Sequence, residues 1–389
     1  MARKCVLLML AAAMLFASGC ALPEPYALED IQNILIIGVD MEDGDIKLTA
    51  VLDRIEVSSE PGKEQITTQV YVSTGETVFD AKRKLHAYSE KRASWFHLKY
   101  IIIGEEVAEQ NIGDVLDFFC ENDENRFLHQ LIVSKGMSAS DFLIEAAANN
   151  KELVNDLDAL FKQVDQTGES SAVHLLDYAA SCECKWGQLY IPTIELIDNA
   201  HYNSGESGDE NASPIARLSG YALFRESQLA CYLDAHQAMG LNFVINKIKS
   251  AEITVTDMHG HLISLEVVKS KASIKPKLDG APSATISVVV DTFMVEYHDP
   301  TDSTSDEFIQ YVEAQQSAYV TGIIASALEA AKNCGSDVFG IGSALHHAYP
   351  VKSEPYKENW NDIFSTMEIA IEVKSKVQCT YDMLNAPGR

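Results

Sequence analysis

Ile34-Leu35-Ile36-Ile37-Gly38-Val39-Asp40 is a continuous apolar run ending in turn-forming residues, and it reads as a buried strand. Asp43-Gly44 follows, then Ile46-Lys47-Leu48-Thr49-Ala50-Val51-Leu52, so the two runs close a hairpin. A sheet therefore begins the folded body. Downstream, Gly75-Glu76-Thr77 opens a helix over Val78 to Tyr88, with Thr77 as its cap and Val78, Ala81, Leu85 and Tyr88 on its apolar stripe. Tyr100-Ile101-Ile102-Ile103-Gly104 is a second short buried strand. Asp114 to Cys120 starts another helix carrying Val115, Leu116, Phe118 and Phe119. Leu131-Ile132-Val133-Ser134 and a Ser-Ala-Ser-Asp helix start at 138–141 continue the alternation, which predicts mixed α/β structure.

Residues 150 to 190 are helical and acidic in pattern and suit a smaller lobe. From His201 to Ser213 apolar residues all but vanish, as in a solvated linker, so the main boundary is placed at 201–214. The N-terminal α/β region then spans 28–200, divisible into two lobes near 140–150, and the C-terminal domain spans 215–385. That domain opens with Leu218 to Phe224. Strand-like stretches follow at Ala251 to Val255, Leu262 to Ala272, Ala284 to Tyr297 and Ser365 to Val377. Between them Phe308, Val312, Tyr319, Ile323, Ile324, Ala327 and Leu328 keep a helical period through Lys332. The expected fold is α+β with mixed sheets flanked by helices, in three lobes, the last with an antiparallel-rich sheet and one long helix.

Upstream of the hairpin, Arg3 and Lys4 precede the apolar run Val6 to Phe16 and then Ala17-Ser18-Gly19-Cys20. A charged region, an apolar region and small residues at a cut site form an export signal over 1–19. The apolar run is about a dozen residues, short of the roughly 20 a spanning helix needs. Small residues directly before a cysteine resemble a lipobox, in which Cys20 is acylated and becomes the first residue of the mature chain. Ala17 stands where Leu is usual. Residues 20–27, with two prolines, form a tether. Two or more acyl chains on Cys20 anchor a protein durably without spanning the bilayer.

The chain has 389 residues, 47% hydrophobic, enough for more than one core. Its formal net charge of −27 argues against nucleic acid as a partner. Beyond Cys5 and Cys20 the cysteines are Cys120, Cys182, Cys184, Cys231, Cys334 and Cys379, and their spacing specifies no disulfide framework. Cys182-Glu183-Cys184 lacks the second pair or histidines of a zinc site. His259-Gly260-His261 and His346-His347 read as surface histidines in turns. Gly335-Ser336-Asp337-Val338-Phe339-Gly340-Ile341-Gly342 follows a helix rather than a strand, so it is no dinucleotide fingerprint. Gly335 reads as the residue that ends that helix, and Asp337 as the start of the next turn. Acidic pairs such as Glu105-Glu106 arise by chance among 57 acids. No catalytic residue, metal or cofactor is assigned.

Taken in order, these motifs resemble the Ger(x)C (GerAC) family of spore germination lipoproteins. The resemblance runs through Glu29-Asp30-Ile31 to Gly38-Val39-Asp40, then Gly75, Thr77, Ala81 and Leu85, then Trp95-Phe96-His97-Leu98-Lys99-Tyr100-Ile101-Ile102-Ile103-Gly104-Glu105. It continues with Leu116-Asp117-Phe118, Glu124-Asn125-Arg126, Ser336 to Gly342, and Pro350, Trp360 and Phe364 ahead of Met367 to Val377. The family commonly has Gln near Ala331 and Lys332. From the residues alone, Trp95 and Trp360 are core or interface anchors, His97 a hydrogen-bonded structural histidine, and Gly38, Gly104 and Gly340 turn residues. The resemblance implies the C subunit of a germinant receptor, tethered through Cys20 to the outer face of the spore inner membrane, beside A-type and integral-membrane B-type subunits. A solute-binding lipoprotein of a transporter is the alternative, and a lipid-anchored cell-wall hydrolase is a third reading.

Overall fold

The computed structural model describes residues 31–57, 64–88, 91–122, 126–149, 153–197, 214–297 and 305–379. Cys20, the export signal and the tether lie outside the described residues, as does nearly all of 201–214.

β1 (Ile31–Glu42) and β2 (Asp45–Val57) form the expected hairpin, turning on Asp43 and Gly44 at φ 53° and 91°. β3 (Glu64–Gly75) pairs antiparallel with β2. α1 (Val78–Tyr88) starts where the Thr77 hydroxyl accepts the Asp80 N–H at 3.1 Å, and it buries Val78, Ala81 and Leu85. Tyr88 does not join them. Lys82 fills that stripe, its aliphatic stem buried and its ammonium 4.9 Å over the Trp95 ring, which leaves Tyr88 exposed.

β4 (Arg92–Ser94) pairs with the first residues of β1, and β5 (Tyr100–Gly104) pairs parallel with its middle. α2 (Glu105–Gln110) and α3 (Gly113–Glu121) lead to β6 (Gln130–Ser134), parallel to β5. α4 (Ala139–Asn149), α5 (Leu153–Thr167) and α6 (Leu175–Glu183) lead to β7 (Tyr190–Ile197), parallel to β6. Central strands covered on both faces should be apolar throughout, and β5 is buried at every position. Their alternating side chains feed two cores. Ile37, Ile101 and Leu131 meet α1, α2 and α3, while Ile36, Ile102 and Ile132 meet Phe142 and Leu143 of α4 and Leu157 of α5.

β8 (Ile215–Arg225) and β9 (Gln228–Leu233) lie beyond the polar stretch 201–214, yet they extend this first sheet. β8 pairs antiparallel with β7 from Tyr190↔Leu223 to Ile197↔Ile215, satisfying the edge that the parallel strands leave open.

The second sheet, in the order β10 (Glu252–Thr256), β11 (Leu262–Asp279), β12 (Ala281–Tyr297), β13 (Glu368–Cys379), is antiparallel except for the last pair. α7 (Ala235–Val244) and the 29-residue α8 (Asp306–Cys334) belong to its core. The Ser305 hydroxyl caps α8 through the Phe308 N–H, and Gly335 ends it in the left-handed region at φ 67°, as its sequence position implied. At Gly240 the two helices come so close that a Cβ would run into the Ile323 carbonyl. α9 (Ile341–Ala348), α10 (Pro350–Ser353) and α11 (Trp360–Thr366) connect α8 to β13. The fold is thus multi-domain α+β with two mixed sheets. No helix among the described residues is long and apolar enough to cross a membrane.

Candidate functional site

The sequence motifs converge on two buried carboxylates, each seated at a helix N-terminus. Asp40, at the end of the Gly38-Val39-Asp40 run, accepts the Ala139 and Ser140 N–H groups of α4, one on each oxygen, at 2.7 Å. These donors have no partner within the helix, and the helix dipole favours a negative charge there. Gly38 and Gly104 are not turn residues, as the sequence suggested; both lie in strands where a neighbour comes too close for a side chain. A Cβ on Gly38 would stand 2.8 Å from Leu143 Cδ1 of α4, and one on Gly104 would run into the Asp40 carboxylate. Burial raises the Asp40 carboxyl above the ordinary 3.8, while the two N–H groups pull it down.

Asp337 is the counterpart in the C-terminal half. Its carboxylate accepts the N–H of Ile341 at 3.2 Å, the N–H of Gly342 at 2.7 Å and the indole Nε1–H of Trp360 at 2.9 Å. Burial again raises the carboxyl and the three donors oppose it. Gly340 is a true turn glycine at φ 76°, whereas Gly342 has Trp186 and Trp360 packed where a Cβ would go.

Around Asp337 the two halves of the chain join. The Gln188 N–H donates to the Asp337 carbonyl at 3.1 Å, and its side chain bridges the Glu226 N–H and Asn361. The Ser336 hydroxyl donates to the Phe224 carbonyl at 2.6 Å, and Arg225 pairs with Asp362 at 3.1 Å. Trp186 packs edge-on against Trp360 and stacks on His346. A disulfide between Cys231 of β9 and Cys334 at the end of α8 crosses the same junction, with Cα atoms 6.1 Å apart. Lys332, in the last turn of α8, reaches the Met367 carbonyl at 2.8 Å.

The remaining candidates disperse. Cys182 and Cys184 flank the end of α6 as free thiols, Cys184 near the Ser343 hydroxyl at 3.4 Å, and Cys120 is also free. Among the described residues no three His, Cys, Asp or Glu side chains are placed to hold a metal. Glu105 is occupied by the Tyr232 hydroxyl at 2.5 Å. His259 and His261 are exposed around the Gly260 turn, and His261 pairs with Asp257 at 2.9 Å. His346 and His347 lie in the last turn of α9, not in a turn between elements, because Gly340 starts that helix early enough to include them. Among the described residues the buried structural histidine is His129, whose Nε2 accepts the Arg126 N–H at 2.9 Å; His97 is exposed. Nothing local in the sequence singles out His129. An open cleft of about 430 Å³ beside the junction is lined by polar side chains, among them Asp114, Asp117, Glu226, Lys185, Tyr178 and Gln188.

The chain matches the family described as spore germination B3/GerAC like, C-terminal, over residues 219–380, and the spore germination protein N-terminal domain over 26–196. It is 25% identical to spore germination protein B3 of Bacillus subtilis (strain 168) over 370 residues, which cover 87% of this chain and 88% of that one. Spore germination protein A3 of the same organism is 23% identical, over 92% of this chain and 93% of its own. The crystal structure of the GerBC protein shares the fold at a TM-score of 0.56 and 18% identity, covering 88% of this chain and 96% of that one. Matched in order along both halves by domains of spore germination proteins, this chain belongs to the GerAC family and has a germination-related role.

Proposed function

We propose that this chain is the lipid-anchored C subunit of a spore germinant receptor. Acylated Cys20 holds it on the outer face of the spore inner membrane, where it joins A-type and integral-membrane B-type subunits to transmit nutrient signals. The observation that carries this reading is the use made of the motif residues. Asp40, Gly104, Asp337 and Trp360 are spent on fixing helices and joining two sheets, which suits a protein that holds binding surfaces in register rather than one that turns over a substrate. The role is therefore non-catalytic. Tethering raises the effective concentration near membrane-embedded partners, so each contact needs only modest affinity. We take the mature chain as tether 20–27 after a signal at 1–19, with the segment 201–214 leading back into the first sheet, which β8 and β9 complete before the second sheet begins.

The test is purification from spore membranes beside a Cys20→Ala variant, with mass spectrometry of the N-terminus and of co-purifying proteins. A diacylglyceryl Cys20 and two membrane subunits are expected. An unmodified protein released without partners overturns the reading and leaves solute binding to be examined.

A further inference from the structure

The parallel strands give the first sheet a definite bottom end. Ile31↔Arg92 and Ile36↔Tyr100 align β4 and β5 with the start of β1, and Tyr100↔Gln130 aligns β6 with β5. The segments that precede these strands therefore emerge together, at the end of the sheet where β1 begins. Backbone hydrogen bonds tie them side by side: Lys99 N–H to Leu35, Gln130 N–H to Lys99, and Leu176 N–H to Phe127, each 2.8–2.9 Å.

This end carries five large apolar side chains in the open. Tyr88 closes α1, Phe96 lies between β4 and β5, Phe127 and Leu128 precede β6, and Leu176 begins α6; they are 46–71% exposed. Exposed apolar residues scattered singly need no explanation, but five gathered at one end of a sheet do. Arg92 and Arg126 stand beside them, and at the edge Asp177, itself exposed, accepts the His174 N–H at 2.7 Å. Cys20 is eleven residues before Ile31, and a chain of that length reaches at most about 40 Å. The start of β1, and with it this end of the sheet, thus lies within about 40 Å of whatever Cys20 is anchored in.

We infer that the face formed by Tyr88, Phe96, Phe127, Leu128 and Leu176 rests on the lipid surface, seating the body in one orientation. This rests on the lipid-anchored reading above. The aromatic and aliphatic side chains enter the boundary between headgroups and acyl chains, where apolar groups are stabilised to a depth of about 5–10 Å. The two arginines face the phosphate level, while the acidic remainder of the chain, −27 overall, stays in water.

The test uses the full lipidated chain in vesicles of phosphatidylethanolamine and phosphatidylglycerol brominated high on the acyl chains. Leu128→Trp is compared with Val351→Trp, a site 86% exposed in the other half of the chain. Trp95, Trp186 and Trp360 are buried and give a constant background. Emission of Leu128→Trp should be quenched and shifted to the blue, with Val351→Trp unchanged, and Leu176→Trp should repeat the result if Leu128→Trp folds poorly. A diacylglyceryl Cys20 with no quenching at either site overturns this inference and leaves the anchor standing. An unmodified Cys20 removes the anchor and the inference together. A photocrosslinker at Phe127 that captures a membrane subunit, without quenching at Leu128→Trp, makes the face a protein interface and also overturns it.

Discussion

The indole N–H of Trp360 donates to Oδ2 of Asp337 at 2.9 Å, inside a core where both residues are almost wholly shielded from water. The same oxygen holds the Gly342 N–H. Loss of one partner leaves the others desolvated and unsatisfied. Trp360→Phe removes the hydrogen bond and also leaves a cavity where the wider indole packs on Gly342 and Trp186, so it should lower unfolding stability by about 2–4 kcal/mol. Asp337→Ala strands three donors and should cost about 3 kcal/mol or more. Urea unfolding of the two variants and the double variant checks this, and the double should fall short of the sum because the pair is coupled.

Gly104→Ala should be about as harmful as losing the carboxylate it crowds. The new methyl group displaces Asp40 from the Ala139 and Ser140 N–H groups, combining overpacking with unsatisfied helix-end donors, for about 2–4 kcal/mol. Gly44→Ala has nothing near it but keeps φ at 91°, so its cost should be the smaller strain of a left-handed residue, about 1 kcal/mol. The ranking of thermal midpoints, Gly104→Ala below Gly44→Ala, is the readout.

Reduction should loosen the junction. The Cys231–Cys334 bridge closes a loop of 103 residues, and opening such a loop in the denatured state is worth about 4–5 kcal/mol by the chain-entropy argument. Dithiothreitol should lower the unfolding midpoint of the native protein and leave Cys231→Ser/Cys334→Ser unmoved. Alkylation before and after reduction should gain two labelled sites, at those positions.

His129 should make stability depend on pH. Burial lowers its value below the ordinary 6.5, aided by the Arg126 charge and opposed by its bond to the Leu98 backbone. A histidine held neutral in the fold contributes stability that is fully present above about pH 6.5 and is lost as the pH falls toward its folded value, because the unfolded chain binds the proton first. Urea midpoints of the native protein should drop between about pH 7 and pH 5, and His129→Gln should flatten that part of the curve.

Much of the architecture was legible because its signals are local. The Asp43-Gly44 hairpin, the Thr77 cap, the apolar run at Tyr100 to Gly104 and the Gly335 helix stop each depend on residues within a turn of one another. What the sequence hid is long-range. Asp40 meets Ala139 across 99 positions, so Gly38 and Gly104 were read as turns when they are close-approach sites. The attachment of β8 and β9 to the first sheet depends on an open edge at β7 that no local pattern announces. His97 and Tyr88 depart from their expected burial for the same reason: burial is set by the neighbours that arrive later.

The ladder between β7 and β8 bears on how the molecule is made. A ribosome delivers β7 before β8, so for some 28 residues, from Ile197 to Arg225, the growing chain carries a half-built sheet with a bare edge. A message cut short in that window yields a fragment primed to pair with a second copy of itself. Completion of β8 at Arg225 covers that edge.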